Sequence, residues 1–221
     1  MPELPAFTEL AARPDAGLDV LALALAAEFR DIDADAAIGT LDALGEELSL
    51  EAALTSGTAQ SLALACGQLL GGRRGFVGDR EKYDHPDNSM LDLVLVNRRG
   101  LPIVLSVVYV EVARRAGIPL AGIGLPGHFV VGHLGADPPL LLDPFDGGRA
   151  IEEPVAPGHL RPWTAHDIAM RMLNNLVATY QRRGDVAAAI RAAGMRLALP
   201  SEESLRPILE AELRAMQARL N

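Results

Sequence analysis

Hydrophobic positions in the first third of the chain recur with helical spacing. Runs of Leu and Ala separated by acidic residues predict three helices, and Asp19 and Thr58 are the expected N-caps of the first and the third. The third helix should end at the glycine pair 71–72. The predicted ranges are Val20 to Arg30, Ala36 to Glu47 and Ala59 to Leu70.

The pattern changes after residue 74. Positions 75–88 are dense in Gly, Pro, Asp and Asn, which is typical of loops, and Asn88 or Ser89 is expected to cap a short helix that ends near residues 98–100. Pro102 then suits the first turn of a new helix, Ile103 to Ala116. Because this stretch is apolar nearly all round until Glu111, it should be a central, buried helix.

Short β-like runs follow this helix. Gly122 to Leu125, Phe129 to His133 and Leu140 to Leu142 are separated by Gly- and Pro-rich turns, and they predict a small antiparallel sheet. Residues 154–162 are predicted to form a loop. The stretch from Ala165 to Leu220 predicts three helices, broken at Gly184-Asp185 and Pro200-Ser201.

These elements indicate an α+β fold with a central helix packed on the sheet. An N-terminal helical layer would span residues 1–74, the core would span 75–160, and C-terminal helices would span 161–221. We expect the three segments to form one compact unit, because 221 residues suit one domain with appendages.

Composition narrows the function classes. Hydrophobic residues make up 49% and aromatic residues 4%, so the core must be aliphatic. The net charge of −9 argues against nucleic acid as a general partner.

The run from Val20 to Ala27 is too short to cross a bilayer, and no basic region precedes it at the N-terminus, so we expect no membrane partner and a cytoplasmic location. A single cysteine, Cys66, excludes a disulfide within the chain. Because leucines surround it in the sequence, we predict that Cys66 is a buried, unreactive thiol.

Two residues near the predicted sheet could carry chemistry. His128 begins a strand after Pro126-Gly127, and Asp143 closes the strand that follows it. If these strands pair as neighbours, the two side chains can approach each other, and the aspartate would fix one imidazole tautomer and stabilise the imidazolium. A histidine that starts a strand and an aspartate before proline also suit purely structural roles.

The motifs as a set resemble the transglutaminase-like core of the bacterial SirB family. They comprise Tyr83, Pro86, Asn88 and Ser89, then Asn97 to Ser106, Gly117-Ile118-Pro119, Pro126 to Phe129 and Asp143-Pro144-Phe145. The C-terminal part is similar to a tetratricopeptide-type helix pair, through Met172 to Leu176, Tyr180, Gly184-Asp185, Ala189 and Pro200. The resemblance extends in order over roughly residues 20 to 200, and it implies a papain/transglutaminase-like fold.

The resemblance also implies a degenerate site. It places His128 and Asp143 on the family's catalytic histidine and aspartate, whereas the cysteine nucleophile falls on Pro102. The implied function is therefore a non-catalytic regulatory or protein-binding module whose partner is another protein or a peptide. The alternative is an amide or ester hydrolase that uses Ser106, one helical turn after Pro102, or a water molecule activated by His128.

No cofactor or metal is expected at this site. His85 and His133 are conceivable metal ligands together with His128. The sequence does not contain the close histidine spacing of helical metal motifs, so metal binding by these residues is not expected. Ser106 has a structural alternative as well, because a serine inside a helix can pack in the core and donate to the preceding carbonyl.

Overall fold

The computed structural model describes residues 4–152, 155–156, 158 and 160–219, and this part of the chain combines helices with a small sheet. The helices are α1 (Phe7–Ala11), α2 (Leu18–Ala27), α3 (Ala34–Ala52), α4 (Ala59–Gly67), α5 (Leu91–Asn97), α6 (Pro102–Arg115), α7 (Ala165–Arg183), α8 (Val186–Arg196) and α9 (Arg206–Gln217). A π-helical turn, Gln68–Arg73, continues α4, and 3₁₀ turns span Pro86–Ser89 and Pro144–Asp146.

The main sheet is antiparallel, as the short β-like runs and the turns between them predict. Its strands β3 (Ala121–Leu125), β4 (His128–His133), β5 (Leu140–Asp143) and β6 (Arg149–Ala150) lie in chain order. A separate parallel pair joins β1 (Val77–Gly78) to β2 (Arg99–Gly100). The strands β1, β2 and β6 were not predicted from the sequence, because two residues are too few to show an alternation of polar and apolar side chains.

Helix α6 is the centre of the fold. Pro102 stands at its first turn, where a missing N–H costs nothing, and Leu101 precedes it in an extended conformation. Nearly every side chain from Ile103 to Val112 is buried, in contact with α3 on one side and β4 on the other. Burial of each such aliphatic side chain is worth about 1.5–3 kcal/mol, which explains why this helix is apolar all round.

Asp19 does not cap α2, so this prediction is wrong. Gly17 is the N-cap, and Asp19 lies inside the helix with only 4% of its surface exposed. Its carboxylate accepts from Arg115 at 2.7 Å, and Arg115 also donates to Glu111 at 2.7 Å and to Asp42 at 2.6 Å. Pairing with a buried guanidinium outweighs a local cap, since an unpaired charge in the core is costly. Thr58 does cap α4, as predicted.

Asn88 and Ser89 do not cap α5 either. The N-cap is Met90, and the Asn88 amide instead donates to the carbonyl of Lys82 at 2.7 Å and to Asp79 at 3.2 Å. The Asn88 carbonyl accepts from the N–H of Leu101 at 2.9 Å. The buried Asn88 therefore ties the upstream loop to the entrance of α6 instead of starting α5.

The C-terminal helices follow the predicted pattern and pack on the core. The breaks lie at Gly184-Asp185, where Gly184 has a positive φ of 74°, and around Pro200-Ser201. Leu173 and Leu176 are fully buried, and Tyr180 stacks on Phe29 with ring centroids 5.5 Å apart. One cluster of buried apolar residues runs from Phe7 in α1 to Met216 in α9.

No helix in the described part of the chain is both long enough and apolar enough to cross a membrane.

Candidate functional site

His128 and Asp143 meet at one end of the main sheet. β4 and β5 are antiparallel neighbours, with Val131 opposite Leu142, so the first residue of β4 and the last residue of β5 lie close together. Nε2 of His128 is 2.9 Å from Oδ2 of Asp143. The other carboxylate oxygen, Oδ1, accepts from the N–H of Phe145 at 2.9 Å, which holds the aspartate in place. The predicted hydrogen bond between neighbouring strands is confirmed.

The pair stabilises the charged form of each partner. The hydrogen bond that the His128 ring donates to Asp143, opposed by partial burial, raises the pKa of His128 above 6.5. Burial acts to raise the pKa of Asp143, but the hydrogen bond and charge of His128 and the N–H of Phe145 lower it overall, below 3.8. Since Nε2 faces the aspartate, Nδ1 is the ring nitrogen left to meet a ligand.

An open cavity of about 820 Å³ lies beside this pair. Alternation along the strands puts His128 on the same sheet face as Val130, and Asp143 on the same face as Leu141. That face carries a small apolar cluster separate from the main core. The described residues that line the cavity come from the sheet end and the segment after it: Leu125, Pro126, His128, Asp143, Asp146, Arg149, Ala150, Ile151, Glu152, Val155 and Ala156.

Helix α6 packs on the opposite face of the sheet. Phe129, Val131 and Leu142, which alternate with the cavity residues, belong to the main core together with the apolar side chains of α6. No α6 residue is found among the described residues that line the cavity.

Ser106 lies away from the cavity. It is 1% exposed, and its hydroxyl donates to the carbonyl of Pro102 at 2.8 Å, within the same helix. This is the structural role that the sequence allowed for a serine inside a helix. The structure thus brings His128 and Asp143 together but does not bring Ser106 to them.

Cys66 is buried as well. Its side chain is 0% exposed in α4, and burial raises the pKa of the thiol to about 12. At neutral pH it is therefore a protonated thiol without solvent access, and a reactive cysteine needs a thiolate. His133, at the other end of β4 from His128, is also buried and does not share the site.

Charged residues after Asp143 line the cavity, and they were not predicted from the sequence. Asp146 is 3.4 Å from Arg149 and 3.3 Å from Arg80, whose guanidinium lies over the Phe145 ring. Glu152, further along, has no ion-pair partner among the described residues. The signal that could have found them is Gly147-Gly148: both residues have positive φ, which turns the chain back along β5.

The His128–Asp143 pair predicts a specific titration. We expect the imidazole of His128 to titrate above pH 6.5 in the wild type and at a lower pH in Asp143→Asn, because the variant removes the charge that stabilises imidazolium. NMR of the histidine ring protons, assigned with His128→Gln, measures both midpoints.

The same pair gives stability with a defined pH dependence. Because the folded-state pKa of His128 is raised, its contribution is complete below the unfolded value near 6.5 and declines as pH rises through the folded value. Because the folded-state pKa of Asp143 is lowered, the stability that Asp143 contributes is complete above pH 3.8 or so and is lost as the pH falls through the folded value.

The NMR titration also has an outcome that would contradict the pairing. This outcome is an identical midpoint for His128 in the wild type and in Asp143→Asn.

The amino-acid sequence around this site is similar to that of known proteins. A family profile described as the transglutaminase-like superfamily matches residues 35–174, which include α6, His128 and Asp143. A UPF0162 protein of Xylella fastidiosa is 36% identical over 162 residues, covering 72% of this chain and 57% of that protein. A UPF0162 protein of Pseudomonas aeruginosa is 30% identical over 132 residues, covering 53% and 48%.

A more distant similarity is confined to a shorter stretch. Human F-box only protein 21 is 35% identical over 71 residues, or 32% of this chain and 11% of that protein. The chain spans about half the length of the UPF0162 proteins it matches. No solved structure matches it.

Proposed function

The chain belongs to the transglutaminase-like superfamily, and we propose that it is a non-catalytic member that acts as a regulatory or protein-binding module. Its UPF0162 relatives agree with the SirB-like resemblance that the motifs carry. The superfamily name suggests acyl transfer through a cysteine. The chemistry of the site argues against that function.

One observation supports the proposal above the others: no serine, threonine or cysteine is found among the described residues that line the cavity beside His128. The resemblance places Pro102 at the position of the family's cysteine. Ser106 is hydrogen-bonded inside α6, and Cys66 is a buried thiol. A histidine and an aspartate without a nucleophile can hold a ligand, but they cannot form the covalent acyl intermediate of a thiol enzyme.

The cavity itself has the properties of a binding site. It combines an apolar wall, formed by Leu125, Ile151 and Val155, with the polar groups of His128 and Glu152. Such a mixture suits a ligand that has both apolar side chains and hydrogen-bonding groups, as a polypeptide does. A protein or peptide partner and a cytoplasmic location are parts of the same proposal.

A second candidate, hydrolysis by activated water, draws on the orientation of the imidazole. With Nε2 held by Asp143, Nδ1 of neutral His128 is an acceptor that could remove a proton from water in the cavity. This reaction needs no side-chain nucleophile. It does need donors that stabilise the developing oxyanion, and the guanidinium of Arg149 is the charged donor group among the described lining residues.

A substrate screen separates these functions. The wild type, Ser106→Ala, Cys66→Ala and His128→Gln are compared on a panel of esters and amides and on amine incorporation into a glutamine peptide, with thermal melts of each. We expect no turnover above the buffer rate in any of them. Turnover that disappears in Ser106→Ala at an unchanged Tm would establish a serine hydrolase. Turnover that survives in Ser106→Ala but disappears in His128→Gln would establish water activation.

A further inference from the structure

The main sheet has two outer edges, and the β3 edge is covered. In an antiparallel sheet, successive residues of an edge strand point their N–H and C=O groups inward and outward in turn. The carbonyl of Gly122 in β3 points outward and accepts from the N–H of Trp163 at 2.9 Å. The Trp163 indole lies so close to Gly124 that a Cβ there would be 2.2 Å from the ring. The segment before α7 therefore protects this edge.

The β6 edge has no such cover in the described part of the chain. The N–H of Ile151 donates inward to the carbonyl of Leu141 at 2.9 Å. Ala150, opposite Leu142, must then direct its N–H and C=O outward, and continuation of the same alternation past the end of β6 would do so for Glu152. Both residues are exposed, and neither backbone pairs with a described residue. Two outward residues separated by one inward residue are the pattern that an added strand recognises.

This edge lines the cavity that contains His128. Arg149, Ala150, Ile151 and Glu152 contribute to the cavity as one continuous stretch. The sheet face beside this edge supplies an apolar floor, because Ile151 and Leu125 pack against the small cluster on that face. A segment lying along β6 could thus bond to the edge through its main chain and place alternate side chains in the cavity.

One acidic side chain at this edge is left to pair with a basic segment. Asp143 is neutralised by His128 when the imidazole is protonated, and Asp146 has Arg149 and Arg80 as partners. Glu152 is exposed and has no ion-pair partner among the residues described, so its carboxylate can pair with a cation of a ligand. A lysine or arginine beside Glu152 would complement it, and the net charge of −9 adds a general attraction for cations.

We propose that the β6 edge binds an extended, basic segment of another protein as an additional strand of the main sheet. This inference rests on the proposed function, because it specifies how the cavity holds a protein partner. The main-chain hydrogen bonds of Ala150 and Glu152 would supply register, the cavity would accept apolar side chains, and Glu152 would select for a cation.

The test pans a library of random peptides on the wild type and on Ala150→Pro. Proline removes the outward N–H and blocks strand addition, yet it removes no bond of the sheet, so folding should be retained. Ala150→Val keeps the N–H and is the matched control. We expect β-prone, lysine- or arginine-containing peptides to be enriched on the wild type and on Ala150→Val. Their binding should weaken at least about tenfold, or about 1.4 kcal/mol, in Ala150→Pro at an unchanged Tm.

Charge selection is tested with Glu152→Gln. The enriched peptides should bind this variant more weakly, and their preference over versions with glutamate in place of lysine should be lost. Should Ala150→Pro fold poorly, peptides N-methylated at alternate residues serve instead, because they lose the same main-chain bonds.

Each other outcome has a defined meaning. Peptides that bind wild type and folded Ala150→Pro equally, but not His128→Gln, would overturn strand addition and leave the cavity as the binding site. Peptides without basic residues that ignore Glu152→Gln would overturn the charge assignment. A library with no enrichment on any variant would overturn both this inference and the peptide-binding function.

Discussion

Removal of residues 165–221 is expected to abolish soluble, cooperative folding. Helix α7 buries Met172, Leu173 and Leu176 completely, and Tyr180 stacks on Phe29 from the N-terminal layer. These side chains belong to the same apolar cluster as α2 and α6, so the truncated chain would expose the face of its own core. A single helical repeat cannot bury its apolar face alone, which is why the C-terminal helices depend on the core and the core on them.

Gel filtration, circular dichroism and thermal melting measure this loss. We expect the truncated chain to aggregate and to lack a cooperative transition. A shorter deletion that removes only residues 206–221 is the control. It takes away α9, whose Leu209 and Met216 are buried but which packs mainly on α8, so the chain should stay folded with a lower Tm. A soluble truncation at residue 164 with a sharp melt would show that α7 to α9 are a separate unit.

The second large effect is expected from Gly71→Ala. Gly71 lies in the π-helical turn after α4, where its backbone passes directly against the turn between β5 and β6. A Cβ at this position would stand 1.8 Å from the carbonyl oxygen of Gly147 and 2.2 Å from its carbon. The obstacle is backbone and not the end of a flexible side chain, so the helix and the turn must move apart. We expect a loss of about 3 kcal/mol in the free energy of unfolding.

Gly72 is a matched control in the same turn. It is exposed, it does not have a positive φ, and a Cβ added to it would meet no atom within 4 Å outside its own stretch of helix. Gly72→Ala should therefore change the free energy of unfolding by less than about 1 kcal/mol. Urea unfolding of both variants compares them. Equal stabilities of Gly71→Ala and the wild type would mean that the π-turn and the turn 147–148 are not in contact.

The Gly71 contact also links the fold to the site. The turn at Gly147-Gly148 leads directly into β6 and the cavity, and its second residue approaches α4 in the same way, since a Cβ on Gly67 would stand 2.5 Å from the carbonyl oxygen of Gly148. Glycines on both sides are required because two backbones meet without room for a Cβ. The sequence shows each glycine pair as a helix end or a turn, but only the folded chain shows that the helix end and the turn pack on each other.

Much of the architecture follows from local sequence. Helix α6 could be placed because Pro102 and Gly117 bound an apolar run, and α7 to α9 because Gly184 and Pro200 interrupt a helical pattern. The strands β3 to β5 are short β-prone runs between clear turns. The pairing of His128 with Asp143 followed as well, since neighbouring strands in an antiparallel sheet bring the start of one beside the end of the next.

Other features depended on contacts between distant parts of the chain. Asp19 stands where a helix cap is expected, but Arg115, far along the sequence, pairs with it in a buried ion cluster. Ser106 could be aligned with a nucleophile on one helix face, yet which sheet face that helix covers decides whether the hydroxyl meets His128, and it does not.

The sequence by itself determined most of the helices, the central sheet and the family, because periodicity, turn residues and motif order are local properties. Tertiary structure alone decided the β1–β2 pair, the β6 edge and the cavity beside His128. Strands of two residues have no period to detect, and an unpaired edge exists only relative to the strands that occupy the rest of the sheet.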